Sequence, residues 1–494
     1  MVAPIDKLVD ACRQMSSLAS VRGFLLWDQE AMMPAKGVEG RARSMAALAR
    51  IVHQQQSDPA YGDLLETCAA ASDLSPENAA IVRELKYDRE RSVKVPEALV
   101  VELSETSTRS EHAWAEAKAA NAPEDFLPWL GKMVALRRRE AEYLGFADSP
   151  YDSLLEDYES GLRAAPLRTL FADLRRELVP LLGEILEKRP PEEDAMSGLR
   201  FPVAGQLEFV KKVAGDMGLD MAAARIDPIK AHGIMVALHP QDIRITMLFK
   251  EDHLPTGLLG TMHEAGHGLY EQGLPVRYWG TPLAEAASVA IHESQSRLYE
   301  NQIGRSRAFW EHYYPILVSF FPEQLGTVKQ EAFLASLNRV RPSLIRTEAD
   351  EVTYNLHIIL RFEIETALFN GGMKVGDIES AWNAGMKDLL GLVPAKPSEG
   401  FLQDIHWSAG QMGYFPAYSL GNLRAAQFLG AARRDLPEME MDIGRGNLLP
   451  LKTWLNDKVH RHGRRYSGEE IMARATGEKT SPQPFLAYLR AKYL

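Results

Sequence analysis

The feature that most constrains the fold is the run HEAGH at residues 263–267. It lies in the stretch GLLGTMHEAGHGLYEQG, which is compatible with a helix from Leu258 to Glu271. Four residues of an α-helix turn through about 400°, so both histidines would share one face, one turn apart, with Glu264 beside them. Two imidazoles on a rigid helix supply half of a tetrahedral zinc site, and the adjacent carboxylate can take a proton from a water molecule. The run therefore predicts a helix that carries a metal centre.

The alternative is a surface helix with a solvated His-Glu-His face. Two observations favour the metal centre. Ala265 and Gly266 are small, which lets another element approach closely, although glycine in a helix interior costs roughly 1 kcal/mol relative to alanine. Seven of the 13 histidines fall between His232 and His312, so imidazole is concentrated around the motif.

Composition predicts a large, soluble globular protein. The chain has 494 residues, of which 46% are hydrophobic and 25% charged, enough for a substantial core with an internal cavity. Cys12 and Cys68 form no CxxC pair, which favours a reducing compartment. The start of the sequence lacks the pattern of a signal peptide, and no run of 18 apolar residues occurs. We therefore expect a cytoplasmic protein without a membrane partner.

Charge argues weakly against nucleic acid as a partner. The formal net charge is −11, whereas phosphate binding needs a concentrated basic face. The exception is KVHRHGRR at residues 458–465, which we interpret as a solvated face or helix end.

The dominant hydrophobic period is helical. Helix-forming segments recur at residues 40–50, 77–119, 129–144, 166–188, 205–224, 284–303, 352–370 and 422–434. Only Asp242 to Phe249 is clearly typical of a strand, and it predicts a small β-sheet beside the HExxH helix. The breaks between segments are short loops. We expect a mainly α fold, in one helical domain spanning 1–494 or in two lobes around a deep active-site cleft.

A catalytic zinc ion usually takes three protein ligands, so a third is expected downstream. The segment Ala284 to Asn301 is helical in pattern and offers Glu285, His292, Glu293 and Glu300, of which we choose Glu293 as the ligand. Glu271 is excluded because it lies two turns, about 12 Å, from His263 along the axis. The alternative for Glu293 is an exposed carboxylate paired with Arg297 at i+4. Its neighbour His292 is a candidate for orienting a ligand or for meeting substrate.

These residues belong to a set of motifs that resembles a known family, the thermostable carboxypeptidases of the carboxypeptidase Taq type. In the family's order, the chain contains WDQEAMMPAKGVEGRA from Trp27, DIRIT from Asp242, HEAGH, HESQ from His292, IRTEAD from Ile345 and GFLQDIHW from Gly400. The motifs span nearly the whole chain.

The resemblance implies a clefted, mostly helical metallocarboxypeptidase, a homodimer, which removes single residues from peptide C-termini with broad specificity. Position by position, it implies that one zinc ion, replaceable by cobalt, is bound by three ligands, His263, His267 and Glu293. It implies Glu264 as general base and Arg346 as the residue that grips the substrate's terminal carboxylate. Arginine suits this role because its planar fork binds a carboxylate bidentately. The alternative for Arg346 is a pair with Glu348 or Asp350.

Other assignments are candidates. The oxyanion of the scissile carbonyl needs a donor, and His406 and Tyr414 are candidates, with Tyr418 as an alternative or a substrate contact. Gln403 and His292 are further substrate-binding candidates. The family's HPF motif is replaced by His232-Gly233-Ile234, which predicts an altered side-chain preference.

The sequence leaves two other functions open. A helical zinc endopeptidase or oligopeptidase shares HExxH and a downstream glutamate but needs no carboxylate clamp. A non-enzymatic scaffold would hold a structural zinc with four protein ligands, or none.

Overall fold

The computed structural model describes residues 3–189, 193–229 and 233–494, in which helices dominate and a single three-stranded sheet is the β-structure. In chain order the elements are α1 (Pro4–Ala31), α2 (Val38–Ser57), α3 (Pro59–Ala69), α4 (Pro76–Lys94), α5 (Glu97–Ala120), α6 (Pro123–Leu144), α7 (Pro150–Leu155), α8 (Ala164–Lys188), α9 (Val203–Asp216), β1 (Ala224–Ile229), β2 (Ile234–His239), β3 (Asp242–Leu248), α10 (Leu254–Gly273), α11 (Val289–Arg297), α12 (Arg307–Phe320), α13 (Pro322–Leu325), α14 (Gln330–Leu337), α15 (Tyr354–Phe369), α16 (Ile378–Leu390), α17 (Phe415–Asp435), α18 (Met439–Gly444), α19 (Leu449–Lys458), α20 (Gly468–Thr476) and α21 (Gln483–Tyr493). A π-helix, Leu298–Ile303, continues α11.

The mainly α prediction is confirmed, and so is the strand before the HExxH helix. The predicted segment 77–119 is divided into α4 and α5, and the segment predicted from Ala284 begins as α11 only at Val289. The helix prediction for residues 205–224 was too long. Helix α9 ends at Asp216, and Gly218 then adopts φ +96°, a left-handed conformation that glycine tolerates and that turns the chain toward β1. Both β1 and β2 were missed because they are short, and Pro228 interrupts the β pattern of β1.

The chain divides into two compact units. Unit 1 comprises Met1–Ser92, Glu193–Leu337 and Arg424–Lys479, and unit 2 comprises Val93–Glu192, Asn338–Leu423 and Thr480–Leu494.

In unit 1 the sheet supports α10. Its strand order is β1-β3-β2, with β1 parallel and β2 antiparallel to the central strand. Ile243 and Ile245 of β3 are fully buried in the main core together with Leu258 and Leu269 of α10. Gly268 lies where this helix meets the sheet, since a Cβ there would lie 3.2 Å from the Ile243 side chain. The sheet thus fixes one side of the helix that carries HEAGH.

The other side of α10 faces α11. A Cβ at Gly266 would lie 2.7 Å from both the Gln295 carbonyl oxygen and the Ser296 Cα, so the two backbones approach more closely than any side chain allows. The predicted close approach at the small residues of HEAGH is confirmed.

Unit 2 is built from helices around α15. This helix is almost wholly buried, and Phe362 packs edge to face on Phe171 of α8 at 5.1 Å between ring centroids. Tyr354, Arg361 and Glu365 are among the polar side chains that are nevertheless buried on it. Their spacings of seven and four residues place them along one stripe of the helix.

Two smaller findings concern the cysteines and membranes. Cys12 and Cys68 are both free and buried. Among the described residues, no helix combines the length and the apolar character that crossing a bilayer requires.

We expect Gly266→Ala to lower the free energy of unfolding by about 1–2 kcal/mol, because overpacking costs outweigh the gain in helix propensity of roughly 1 kcal/mol. The matched control is Gly183→Ala in α8, where an added Cβ meets nothing within 4 Å. The control should gain stability in thermal or urea unfolding. A stabilised Gly266→Ala variant would contradict the tight contact between α10 and α11.

Candidate active site

Three ligand-type atoms converge where α10 meets α11. The Nε2 atoms of His263 and His267 are 3.2 Å apart, and Oε2 of Glu293 lies 3.9 and 3.5 Å from them, respectively. One ligand atom from each residue lies within 4.8 Å of the other two. Among the described residues the group contains two imidazoles and one carboxylate, which matches the three protein ligands of a catalytic zinc site.

The sequence alternative for Glu293, a pair with Arg297, is present but does not compete with this arrangement. Arg297 Nε donates to Oε1 of Glu293 at 2.7 Å, whereas Oε2 faces the imidazoles. The carboxylate is also buried rather than exposed, at 4%. Arg297 therefore orients Glu293.

Each of these histidines contacts a partner through Nδ1, the ring nitrogen that is not in the cluster. Nδ1 of His263 lies 2.8 Å from Oε2 of Glu300, which also accepts from Arg297 Nη1 at 2.9 Å. Glu300 lies in the π-helix that continues α11, an irregularity that is frequent at functional sites. Because Nδ1 is occupied, Nε2 of His263 is the nitrogen left for an ion.

His267 has a longer chain of partners. Its Nδ1 lies within hydrogen-bond distance of Nδ1 of His292, and Nε2 of His292 is 2.9 Å from Oε1 of Glu271. The structure therefore places His292 directly behind His267. Glu271, excluded above as a ligand of the same ion, is the far end of this chain.

The two helices are also joined by a residue that sequence reasoning missed. His460 is fully buried, and its Nε2 lies 2.9 Å from Oε1 of Gln295 on α11. A Cβ at Gly273, the last residue of α10, would lie 2.6 Å from the His460 ring. His460 thus packs against the ends of both elements.

Electrostatics favour the cation-binding forms of His267 and Glu293, whereas the pKa of His263, which burial lowers, is raised overall by the Glu293 and Glu300 carboxylates. Burial, with a smaller contribution from His292, lowers the pKa of His267 to about 3, so its imidazole is neutral. Burial opposes ionisation of Glu293, but Arg297 and His263 outweigh it and hold the pKa well below its usual range. Burial raises the pKa of Glu264 to about 7, an effect that His263 partly offsets. The donor set therefore fits a divalent ion, with a carboxylate of near-neutral pKa beside it.

In unit 2, Arg346 is buried and its guanidinium is held in place. Nε and Nη2 donate to Oδ1 of Asp404 at 3.1 and 2.9 Å, and Nη1 donates to the Tyr354 hydroxyl at 2.8 Å. Its ion-pair partner is therefore Asp404, whereas Asp350 accepts from backbone N–H groups of its own turn.

Asp404 is shared by two arginines. Its Oδ2 accepts from Nε and Nη2 of Arg361, at 2.7 and 2.5 Å, and Arg361 is fully buried. Burial raises the pKa of Asp404, but Arg361 and Arg346 outweigh it and hold the pKa well below its usual range. Two cations and one anion leave this group with a formal charge of +1.

Gln403 is tied to the backbone. Its Oε1 accepts from the Arg346 N–H at 2.8 Å, and its Nε2 donates to the carbonyl oxygens of Leu344, Glu399 and Gly400. The amide thereby fixes the main chain at Arg346.

The three oxyanion candidates lie together in unit 2. His406 Nε2 is 3.2 Å from the Tyr418 hydroxyl, and the Tyr414 ring is 5.5 Å from His406 and 5.2 Å from Tyr418 between centroids. The Arg346 guanidinium lies over the Tyr418 ring, 5.0 Å from its centroid. His232 lies outside the described residues.

A buried glutamate on α15 holds the loop that carries His406. Glu365 accepts from Trp407 Nε1 at 2.6 Å, from the Gly413 N–H at 3.0 Å and from the Tyr151 hydroxyl at 2.5 Å. Burial raises its pKa to about 7, against the lowering effect of these donors. A sequence signal for Arg361 and Glu365 existed, since they are two of the three charged residues in the mostly apolar run LHIILRFEIETALF.

The basic segment at residues 458–465 begins at the C-terminal end of α19, as the helix-end interpretation predicts, and it is only partly solvated. Arg464 is paired with Asp88, Glu84 and Glu285, and Arg465 with Glu77. These charges are neutralised within unit 1.

A helical fold in which an HExxH helix brings two imidazoles to a glutamate of the next helix defines a metal-dependent peptidase.

Similarity to known proteins identifies the family of peptidases. Residues 7–493 match the model of the Carboxypeptidase Taq (M32) metallopeptidase family. The chain is 42% identical to thermostable carboxypeptidase 1 of Thermus thermophilus, over 99% of this chain and 98% of that one, and 36% identical to its Pyrococcus furiosus namesake, with the same coverage. The crystal structure of an M32 carboxypeptidase from Deinococcus radiodurans superposes with a TM-score of 0.97 at 39% identity, covering 99% of this chain and 98% of that one.

The chain therefore belongs to the carboxypeptidase Taq (M32) family and is a metallocarboxypeptidase. The scaffold and endopeptidase alternatives are thereby rejected, and the family resemblance inferred from the motifs is confirmed.

We expect Glu300→Gln to weaken metal binding by about 10–100-fold, because it removes the charge that orients His263. Metal affinity is measured by competition with a chelator at neutral pH. Glu323→Gln, an exposed substitution in α13 of the same unit, is the control and should bind metal like the wild type. Equal affinity of Glu300→Gln and the control would show that His263 needs no such partner.

Stability should depend on pH through Glu365. Its pKa is raised from 4.5 to about 7, so between these values the folded state keeps a proton that the unfolded state has released. The protonated carboxyl group of Glu365 therefore contributes to the stability of the folded state. This contribution is complete below about pH 4.5 and is lost as the pH rises through about 7. We expect the wild type to lose roughly 1–3 kcal/mol relative to Glu365→Gln between pH 5 and pH 8 in urea unfolding. Glu187→Gln, an exposed change on α8, should give no such difference.

Proposed function

We propose that the chain is a zinc-dependent carboxypeptidase with broad specificity in which His263, His267 and Glu293 hold the ion, with cobalt as a possible substitute. The observation that carries this proposal is the convergence of their three ligand atoms beside the buried carboxylate of Glu264. A bound zinc ion supplies Lewis acidity, which activates a water molecule and polarises the scissile carbonyl.

Glu264 is the general base. Its pKa of about 7 lets the carboxylate accept the proton of the attacking water near neutral pH and then donate it to the leaving amine. Burial at 7% exposure excludes most bulk water, so the proton stays within the site.

Arg346 recognises the terminal carboxylate of the substrate. The support is electrostatic, since Arg346, Arg361 and Asp404 together carry a formal charge of +1 in a buried environment. A carboxylate would neutralise this charge, and a C-terminal amide would not. Asp404 and Gln403 hold the guanidinium and the main chain of Arg346 in a fixed orientation, which lowers the entropy lost on binding.

For the developing oxyanion, we propose a donor among His406 and Tyr414, with Tyr418 as the alternative or a substrate contact. Their mutual contacts make one polar aromatic group beside Arg346. Gln403 and His292 stay predicted substrate contacts, although both have partners within the protein.

The assembly and location of the protein also stay predictions. We propose a homodimer acting on peptides in the cytoplasm, on the basis of the family resemblance and two unpaired cysteines. One helical peptidase domain spanning residues 1–494 is the proposed organisation.

Glu264→Gln should reduce the turnover of peptides by about 10²–10⁴-fold while metal content stays at the wild-type level. Mass spectrometry of a peptide digested by the wild type should display a ladder that loses one C-terminal residue at a time, and the variant should leave the peptide intact. A variant that retains activity would remove Glu264 from the role of base.

The wild type should cleave a free-acid peptide and leave its C-terminally amidated twin nearly untouched. Arg346→Gln should lose about 10²-fold in kcat/KM on the free acid and should no longer distinguish the two peptides, because a charged hydrogen-bond donor is gone. Zinc affinity serves as the control and should not change. If the variant still discriminates, another cation recognises the carboxylate.

A further inference from the structure

One buried carboxylate of unit 2 receives three donors from a single helix. Glu351 is 5% exposed, and it follows the IRTEAD motif directly. Its Oε1 accepts from Lys492 Nζ at 2.5 Å and from the Tyr493 hydroxyl at 2.6 Å, and its Oε2 accepts from the Tyr488 hydroxyl at 2.8 Å. All three donors belong to α21, more than 130 residues further along the chain.

Apolar contacts already dock this helix, since Phe485, Leu486 and Leu489 are buried. Burying a carboxylate and an ammonium group costs desolvation energy, so an ion pair of this kind is weak evidence for stability. The main effect of these hydrogen bonds is to fix the orientation of Glu351, because three donors bind its two carboxylate oxygens.

That position is connected to Arg346 through a short rigid turn. Asp350 accepts from the N–H groups of Val352 and Thr353, and its own carbonyl oxygen accepts from the Tyr354 N–H at 2.9 Å. The Tyr354 hydroxyl then accepts from Arg346 Nη1. Fixing Glu351 therefore fixes the turn from Asp350 to Tyr354 and, with it, one side of the guanidinium.

We propose that Glu351, Lys492, Tyr488 and Tyr493 form an anchor by which α21 positions Arg346 for the substrate's carboxylate. The inference rests on the proposed role of Arg346 and extends it to a helix that contains none of the family motifs. These are positioning residues, which act on substrate through the Arg346 segment.

The test uses Lys492→Met, which removes the charge, and Tyr493→Phe, which removes one hydroxyl and keeps the ring. Arg490→Gln is the matched control, because Arg490 lies on the same helix in an exposed ion pair with Glu184. We expect KM for a free-acid peptide to rise about 5–20-fold in both variants, with kcat and zinc affinity at the level of the control, because small displacements of a positioning group have large effects. An unchanged KM in Tyr493→Phe, the milder change, would overturn the anchor.

A double-mutant cycle separates the anchor from the proposed function. If α21 acts through Arg346, adding Lys492→Met to Arg346→Gln should not raise KM further, whereas independent effects would multiply. Multiplying effects would overturn the anchor and leave the role of Arg346 intact. If Arg346→Gln alone has no effect on KM, the proposed carboxylate recognition fails instead.

Discussion

The geometry of the candidate metal site depends on the close contact of α10 with α11 at Gly266. The ligand atoms come from two helices, and Oε2 of Glu293 can lie 3.5–3.9 Å from the imidazole nitrogens only if the helix backbones nearly touch. The absence of a side chain at Gly266 permits that approach, while the sheet behind α10 and His460 hold the first helix against the second. The glycine that weakens the isolated helix is thus required by the pair of helices.

In both units, a buried side chain of the candidate site is oriented by a partner that binds the atom facing away from the site. Arg297 binds the outer oxygen of Glu293, and Glu300 binds the outer nitrogen of His263, so that the inner atoms point toward one place. The same arrangement occurs in unit 2, where one oxygen of Asp404 accepts from Arg361 and the other accepts from Arg346. Such buried networks destabilise the fold unless every polar group in them has a hydrogen-bond partner. When every group has one, the network holds its side chains in a fixed orientation.

Features with a local period or spacing were predictable. The helical class, strand β3, the helix bearing HEAGH and the pairing of His263 with His267 on one face follow from periods of 3.6 and 2 and from the i, i+4 spacing. Glu300 and Arg361 were not assigned, because their partners lie 37 and 43 residues away in the chain. No local pattern encodes such a pairing, although charges within an apolar helix indicate that some partner must exist.

By itself, the sequence determined which side chains share the exposed or buried face of each helix, because that depends only on the helical repeat. It therefore identified His263 and His267 as one pair and Glu264 as their neighbour. Only the tertiary structure decided which oxygen of Glu293 faces them and that Asp404, rather than Glu348 or Asp350, pairs with Arg346. These choices depend on how distant segments pack, and packing is a property of the whole folded chain.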